Sequence, residues 1–292
     1  MSLTIRIPEM GADASGAAPV ASLPALAEFL GAHRRVLVLT GAGCSTGSGI
    51  PAYRDGEGRW LQRRPILYPD YIASAATRRR YWARSYFGWP TISAARPNAG
   101  HHALSRLARA GRVGAVVTQN VDGLHRRAGQ PTVLELHGRL DQARCLDCGQ
   151  VEAREDLQLR LATLNEKWRG RVLGINADGD AELDARDWPG FEVAACESCG
   201  GRLKPEVVFF GESIPAQTRD RLARELDQAN AVLTVGSSLV VGSAFRLVRE
   251  AAKGGLPVVA LNRGRTRADR WLRFKVDADC VTALERLVGM LA

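Results

Sequence analysis

The chain has 292 residues, 46% of them hydrophobic and 24% charged, which suits one large globular domain or a large and a small one. Its net charge of +9 permits nucleic-acid binding, but the arginines that carry most of it are spread along the chain, so we do not expect a nucleic-acid partner. No apolar run approaches the roughly 18 residues of a membrane span, and residues 1–20 lack a secretory pattern. We therefore expect a cytoplasmic protein without membrane association, and the sequence does not indicate an oligomeric state.

The predicted elements begin after a Gly-, Ala- and Ser-rich stretch, residues 1–20, that we expect to be flexible. The apolar run "RVLVLT" at 35–40 predicts a buried strand that leads into a glycine-rich loop. Strands and helices then alternate, with strands expected at 114–120, 231–238 and 256–264 and helices at 97–111, 215–230 and 243–255. These strands are continuously apolar, as in a parallel sheet that is covered on both faces. The alternation predicts an α/β fold with a doubly wound, Rossmann-like parallel sheet, whose polar strand ends converge on one crevice.

Two segments interrupt the alternation and predict a second, smaller domain that packs across the crevice. We assign 52–96, with its aromatic clusters, to a helical module and 141–203 to a zinc-binding module of that domain. The Rossmann-like nucleotide-binding domain then comprises 21–51, 97–140 and 204–292. Within the zinc-binding module, the acidic stretch at 175–190 either reaches the crevice and narrows it or forms a solvated loop.

Four of the six cysteines form two Cys-x-x-Cys pairs, Cys145 with Cys148 and Cys196 with Cys199. Two such pairs can hold one Zn²⁺ tetrahedrally, and four thiolates close the coordination sphere, so we expect one structural ion. A glycine follows the second cysteine of each pair, where a knuckle turn needs positive φ. The alternatives are two unrelated surface pairs or a redox dithiol, and a reducing compartment favours the metal.

A possible nucleotide site begins at "TGAGCSTGSGIPAYRDGEGRW" (40–60), where Gly41 and Gly43 expose backbone N–H groups to a phosphate. A simple turn remains an alternative for this short motif. No well-placed acidic residue closes the second strand, which argues against a hydride-transferring dehydrogenase. Farther on, "TQNVDGLHRRAG" (118–129) crowds polar side chains at a strand end, and "LELHG" (134–138) supplies His137, whose neutral imidazole suits a general base.

Taken in order, these motifs resemble the sirtuin family of NAD-dependent protein deacylases. The resemblance runs from about residue 35 to 285 through GAGCSTGSGIPAYR, TQNVDGLH, LELHG, the two Cys-x-x-Cys pairs, LKPEVVFFGE, VGSSL and LNRG. The segment "RYWARSYFGWP" (80–90), the long gap between the cysteine pairs and "CLDCG" are most similar to the class II, lipoamidase-type branch known from mitochondria.

The resemblance implies a site with NAD as co-substrate. His137 would be the base, and Asn120 would orient the ribose and a water. The implied cofactor-binding residues are Gly41, Ala42, Gly43, Ser45, Tyr53, Arg54, Gln119, Asn120, Val121, Asp122, Gly236, Ser237, Ser238, Asn262, Arg263, Gly264 and Cys280. For Cys280 a small buried hydrophobic position is an equal alternative.

The resemblance also implies that an acylated protein substrate pairs through its main chain with a strand that includes Val207, Phe209, Phe210, Gly211 and Glu212. A plain core strand is the alternative. Tyr81 and Arg84 have a Tyr-x-x-Arg spacing similar to a pair that selects carboxylate-bearing acyl groups in another sirtuin class, and Arg can bind a carboxylate bidentately.

The implied reaction removes an acyl group from a protein lysine and yields nicotinamide and O-acyl-ADP-ribose, with His137 taking a proton relayed through the ribose hydroxyls. Mono-ADP-ribosyl transfer at the same site is an alternative, because both reactions share the first step. A zinc-containing module that binds nucleic acid or a protein partner, with an inactive nucleotide fold, is an alternative of another class. The joint presence of His137, Asn120 and Asp122 argues against it.

Overall fold

The structure is a computed structural model that describes residues 16–52, 65–176, 179–184 and 188–291. Its strands are β1 Val36–Thr40, β2 Val113–Thr118, β3 Val133–Glu135, β4 Gly138–Cys145, β5 Val151–Ala153, β6 Val172–Ile175, β7 Ala181–Leu183, β8 Leu203–Val207, β9 Val232–Val235, β10 Val258–Leu261 and β11 Phe274–Val276. Its helices are α1 Leu23–Ala32, α2 Tyr68–Ala73, α3 Ala75–Ala94, α4 Ala99–Arg109, α5 Leu124–Arg127, α6 Arg154–Leu164, α7 Ala216–Asp227, α8 Gly242–Lys253 and α9 Cys280–Leu291.

Six parallel strands form the main sheet in the order β11-β10-β9-β1-β2-β3. The side chains of a strand alternate between faces, so Val36 and Val38 of β1 pack with α1, α4 and α9, whereas Leu37 and Leu39 pack with α7 and α8. Helices therefore cover both faces, and the predicted doubly wound, Rossmann-like sheet is confirmed. The predicted strands at 35–40, 114–120, 231–238 and 256–264 correspond to β1, β2, β9 and β10.

The smaller domain has its own core beside the sheet. An antiparallel sheet of order β5-β4-β8 packs with α2, α3 and α6, and aromatic side chains such as Tyr71 and Trp82 fill the space between them. The β6–β7 hairpin lies against α3. The predicted module boundaries at 140 and 204 fall inside β4 and β8. These two strands pair with each other.

The described part of the chain begins along the edge of the main sheet. Ala21 N donates to Lys275 O at 2.8 Å, and Lys275 N donates to Pro19 O at 2.8 Å, which adds a short parallel bridge beside β11. None of the helices in the described ranges combines the length and the apolar character that a bilayer crossing requires.

Candidate functional site

The strand order of the main sheet reverses between β1 and β9, and a crevice opens beyond the carboxyl ends of these strands. The loops that follow them approach each other closely, since Gly43 N donates to Gly236 O at 2.9 Å. A Cβ on Gly41 would lie 2.7 Å from Ser237 Cβ, and a Cβ on Gly43 would lie 2.9 Å from Gly236 O. Only glycine fits this approach. Gly41 N donates to Val235 O at 3.0 Å and Gly43 N donates to Gly236 O at 2.9 Å, so the two N–H groups that the sequence predicted to face a phosphate are occupied by main-chain carbonyls.

The polar side chains that follow β2 join this loop. Asn120 Nδ2 donates to Gly41 O and to Ser45 Oγ, both at 3.0 Å, and Gln119 Nε2 donates to Ser237 Oγ at 2.8 Å. These bonds connect the ends of β1, β2 and β9. The strand ends predicted to converge on one crevice therefore do so in the structure.

Asp122 joins the same hydrogen-bond network through Ser45. Its carboxylate accepts from Ser45 Oγ at 2.7 Å and from Leu124 N at 2.9 Å. Burial raises the pKa of Asp122, and the hydrogen bonds from Leu124 and Ser45 oppose that rise. The residue lies outside the cavity lining described below, so in this structure its side chain supports the loop.

His137 follows β3 and is clamped through both ring nitrogens. Nδ1 lies 3.1 Å from Gln119 O and Nε2 lies 2.9 Å from Ser243 Oγ in the first turn of α8. A carbonyl oxygen can only accept, so Nδ1 carries the proton, and the unprotonated Nε2 accepts from Ser243 Oγ. Burial lowers the pKa of His137 to about 4, although the bond to Gln119 acts in the opposite direction. The imidazole is therefore neutral at pH 7 and able to accept a proton.

A cavity of about 440 Å³ brings most of the predicted residues together, with walls from both domains. The predicted residues in its lining are Gly41, Ala42, Gly43, Tyr81, Gln119, Asn120, Val121, His137, Val207, Phe209, Phe210, Gly236, Ser237, Ser238, Asn262, Arg263 and Cys280. The predicted residues outside its lining are Ser45, Arg84, Asp122, Gly211, Glu212 and Gly264. Tyr53 and Arg54 lie outside the described residues.

Arg84 and Asp180 revise the expectation for the acyl-binding end. Arg84 Nε donates to Ala181 O at 2.9 Å, and its Nη1 lies 4.0 Å from Asp180 Oδ2, with both side chains buried. Asp180 lines the cavity together with Tyr81, whereas Arg84 does not. The geometry does not support carboxylate selection by Tyr81 and Arg84, because Asp180 already faces the guanidinium. The stretch 175–190 thus reaches the crevice through Asp180.

The predicted peptide-pairing segment is a strand only up to Val207, where β8 ends. Val208 N donates to His137 O at 2.8 Å, and Phe209 N donates to Glu212 Oε2 at 2.8 Å. Glu212 also pairs with Lys204 Nζ at 3.0 Å. Two of the N–H groups that a substrate strand could use are therefore occupied, so any pairing with a peptide would rely on other main-chain groups of the segment.

The opposite end of the cavity lies near the start of α9. Cys280 Sγ donates to Gly43 O at 3.3 Å and is buried. Arg265 and Asp279, which the sequence did not single out, line this end with Asn262 and Arg263. The sequence shows no periodic signal for them, since both lie in connections around β11.

The four zinc-ligand candidates gather at one point of the small domain. Cys145 Sγ lies 3.5 Å from Cys199 Sγ, and Cys148 Sγ lies 3.8 Å from Cys196 Sγ. A tetrahedral ion with Zn–S bonds of about 2.3 Å needs sulfurs about 3.8 Å apart, so the cluster is consistent with one structural zinc. Gly149 and Gly200 have φ of 79° and 73°, which confirms the predicted knuckle turns.

A second group with metal-ligand chemistry lies beneath the loop after β1, where Cys44, His101 and His125 are all buried within 4.8 Å of one another. Asn98 N donates to His101 Nδ1 at 3.3 Å in the capping box of α4, so the proton of His101 resides on Nε2. Nε2 is the nitrogen of His101 that lacks a partner. A protonated nitrogen is no ligand, and the group therefore belongs to the packing under the loop.

Comparison with known proteins shows extended similarity to one family. The Sir2 family model matches residues 41–243. An NAD-dependent protein deacetylase of Bordetella bronchiseptica is 49% identical over 270 residues, which are 92% of this chain and 98% of that protein. A protein of the same description from Xanthomonas campestris pv. campestris is 51% identical over 261 residues, which are 89% of each chain.

Solved structures agree with these sequence relatives. One described as "Sir2-p53 peptide-NAD+" has a TM-score of 0.74 at 27% identity and covers 92% of this chain and 98% of its own. One described as "Sir2 bound to acetylated peptide" has a TM-score of 0.71 at 26% identity, with coverages of 93% and 100%. A Sir2 variant with deacetylated p53 peptide and 3′-O-acetyl ADP ribose has a TM-score of 0.75 at 27% identity, with coverages of 92% and 98%.

Proposed function

The chain belongs to the Sir2 family and is by homology an NAD-dependent protein deacetylase, and from this premise we propose that it removes acyl groups from protein lysines, releasing nicotinamide and O-acyl-ADP-ribose. The observation that carries the proposal is the position of His137. A half-buried imidazole with an unprotonated Nε2 lines the same cavity as the glycine loop and the Asn120 and Gln119 side chains.

The cavity suits a dinucleotide. The close approach of Gly41 and Gly43 to the segment after β9 leaves no room for side chains, and Arg263 supplies positive charge in the lining, where a phosphate would bind. Asn120 and Gln119 would bind near the sugar and orient it. When bound, NAD would supply a glycosidic carbon from which nicotinamide departs and a ribose hydroxyl that receives the acyl group.

The side chains of the protein then have separable roles. His137 would accept, at Nε2, the proton of a sugar hydroxyl, because Nδ1 is occupied by Gln119 O. Asn120 and Asp122 hold the loop after β1 through Gly41 and Ser45, which keeps the sugar end of the cavity in place. The related complex with 3′-O-acetyl ADP ribose supports an O-acyl-ADP-ribose product for this chain.

We also propose that the acyl chains are neutral. Ile66, Leu140 and Phe209 give the acyl end apolar walls, and the Asp180 carboxylate would repel a second carboxylate there. A lipoyl chain, which the class II, lipoamidase-type branch would accept, is apolar and uncharged. The "RYWARSYFGWP" segment and the long gap between the cysteine pairs support that branch.

The test is incubation of the protein with NAD and peptides that carry acetyl-, lipoyl-, glutaryl- or methylglutaryl-lysine, with nicotinamide and peptide mass as readouts. We expect nicotinamide release that depends on the acetylated or lipoylated peptide. The variant His137→Gln should lose about 10²–10⁴-fold in turnover, the usual contribution of a positioned base, whereas His102→Gln on the exposed side of α4 should not.

Two results would contradict the proposal. If nicotinamide release does not depend on the peptide, the chain is not a deacylase. If a protein gains the mass of ADP-ribose and the peptide does not lose its acyl group, mono-ADP-ribosyl transfer is the reaction at this site.

A further inference from the structure

The catalytic imidazole has a partner that no part of the proposed reaction uses. Ser243 is the second residue of α8, its side chain is buried, and its Oγ lies 2.9 Å from His137 Nε2. Gln119 O occupies Nδ1, so Nε2 is the acceptor and the Ser243 hydroxyl is the donor. The two bonds hold the ring from two different elements, the segment after β2 and the first turn of α8.

We propose that Ser243 is a positioning residue for the base: its hydroxyl orients the imidazole, keeps the Nε2 lone pair hydrogen-bonded in the resting enzyme, and is replaced there by the substrate hydroxyl that delivers the proton. This inference rests on the proposed function, in which His137 is the base. In the proton transfer, the O–H bond of the sugar hydroxyl breaks and a new N–H bond forms at Nε2. The hydroxyl of Ser243 is neither consumed nor changed.

The Ser243 hydroxyl and the sugar hydroxyl compete for the single lone pair of Nε2. A donor at Nε2 stabilises the neutral ring, which is the form that acts as a base, and disfavours the imidazolium. The amino end of α8 carries partial positive charge, which also disfavours a cationic ring beside it. Exchange of one hydroxyl donor for another at the same nitrogen is nearly neutral in free energy, whereas an unpartnered buried lone pair is costly.

Other groups near the imidazole do not replace this role. The dominant influence on the ring is burial, followed by the bond to Gln119. The charged residues of the cavity lining are Asp180, Arg263, Arg265 and Asp279, among the described residues. Among the described side chains, Ser243 is the one with a recorded hydrogen bond to the ring.

The test compares Ser243→Ala with Ser243→Thr, which keeps the hydroxyl, and with Ser105→Ala as a matched control. Ser105 is a buried serine that donates to Gly129 O at 2.9 Å and lies outside the cavity lining. Thermal melts show whether each variant is folded. The readouts are the pH profile of kcat/KM for peptide-dependent nicotinamide release and the ¹⁵N resonance of His137 Nε2 in histidine-labelled protein.

We expect Ser243→Ala to lower kcat/KM about three- to tenfold at neutral pH and to move its acid limb upward by roughly half to one pH unit, which is the size of one lost hydrogen bond. The Nε2 resonance should move to that of a nitrogen without a donor. Ser243→Thr should restore both properties, and Ser105→Ala should change neither.

An unchanged Nε2 resonance in Ser243→Ala would overturn the proposal, and so would equal losses in the Ala and Thr variants. A loss greater than about 100-fold at every pH, with the acid limb unmoved, would also overturn it, since Ser243 would then carry the proton itself. If the wild-type protein shows no peptide-dependent reaction but the Nε2 resonance responds as described, the proposed function fails and the positioning of His137 stands.

Discussion

Three histidines, the buried His101 and His125 and the half-buried His137, share an environment that disfavours their charged form. Burial lowers the pKa of His101 and of His137 to about 4, and it lowers the pKa of His125 well below the ordinary 6.5. For His101 the neighbouring His102 and Arg127 act in the same direction. Each ring must bind a proton more readily in the unfolded chain than in the folded protein.

The sign of the resulting pH dependence follows from linkage. Between the ordinary pKa of 6.5 and the folded value of about 4, the unfolded state binds more protons, so the free energy of unfolding decreases as the pH falls through this window. Protonation of His101 and of His137 each lowers the free energy of unfolding by on the order of 3 kcal/mol once the pH is below both pKa values. Urea unfolding at a series of pH values measures this slope.

One variant isolates a single proton. His137→Gln should reduce the slope by about 1.4 kcal/mol per pH unit inside the window, whereas Ser105→Ala, which removes no titratable group, should leave the slope unchanged. A slope that is the same in wild type and in His137→Gln would show that this imidazole titrates normally in the folded protein.

At this scale the sequence predicts residues that act through their position at a strand end and misses those that act through distant contacts. His137, Gln119 and Asn120 follow short apolar runs, and the parallel fold brings such ends together. Ser243 lies 106 residues from its partner His137, inside a predicted helix, so no local pattern relates the two. Asp180 lies within a stretch whose two interpretations only the tertiary structure could separate.

Among the elements, the zinc-binding knuckles are predicted to hold the small domain together. Replacement of Cys148 by Ala should remove the ion and destabilise the domain, because metal-binding free energy is folding free energy where the site forms only in the folded state. Zinc content per chain and the melting temperature measure both effects. Chelation of the wild-type protein followed by addition of Zn²⁺ is the control, and a Cys148→Ala protein that retains both zinc and stability would contradict the assignment.

The contact between α3 and the β6–β7 hairpin gives a second prediction for an element. A Cβ on Gly88 would lie 1.8 Å from Gly179 O, a backbone atom that cannot rotate away. Gly88→Ala should therefore push the hairpin and Asp180 away from the cavity and cost about 1–3 kcal/mol in unfolding free energy. Denaturant unfolding measures the loss, and the acyl-peptide panel should show weaker discrimination against glutaryl-lysine.

The same hairpin offers the matched control. A Cβ on Gly174 meets no atom within 4 Å, so Gly174→Ala should change the unfolding free energy by no more than about 0.5 kcal/mol. Equal stability of the two variants would mean that α3 and the hairpin separate without cost, and the described packing would then be wrong.

The elements differ in how well their sequences predict them. Strands β1, β2, β9 and β10 are continuously apolar because both faces are covered, and this signal requires no knowledge of the fold. Strands β4 and β8 are more polar, and they pair across a separation of about sixty residues. Their pairing therefore could not be predicted, and the predicted peptide-pairing strand extends beyond Val207, where β8 ends.

For the whole molecule, the cavity between the domains predicts that the dinucleotide stabilises the folded chain. A ligand that binds the folded state alone adds about 2.7 kcal/mol at one hundred times its Kd, so the melting temperature should rise with NAD concentration. Gly41→Val should abolish this rise, because the valine side chain would collide with Ser237 where the segments after β1 and β9 meet. Differential scanning calorimetry with and without NAD measures the effect.

A glycine in open space serves for comparison. A Cβ on Gly289 in α9 would meet no atom within 4 Å, so Gly289→Ala should keep the NAD-dependent rise in melting temperature. A Gly41→Val protein that still responds to NAD like the wild type would show that the dinucleotide does not bind at the loop after β1.

The bridge between residues 19–21 and β11 has a consequence for how the protein behaves in concentrated solution. A parallel sheet exposes unpaired main-chain groups along its outermost strand, and a neighbouring molecule can attach there. Residues 19–21 cover part of this edge, because Pro19 and Ala21 hydrogen-bond the main chain of Lys275 in β11. Removal of residues 1–21 would expose the edge of β11, so the shortened protein should associate through this edge more readily than the full chain does.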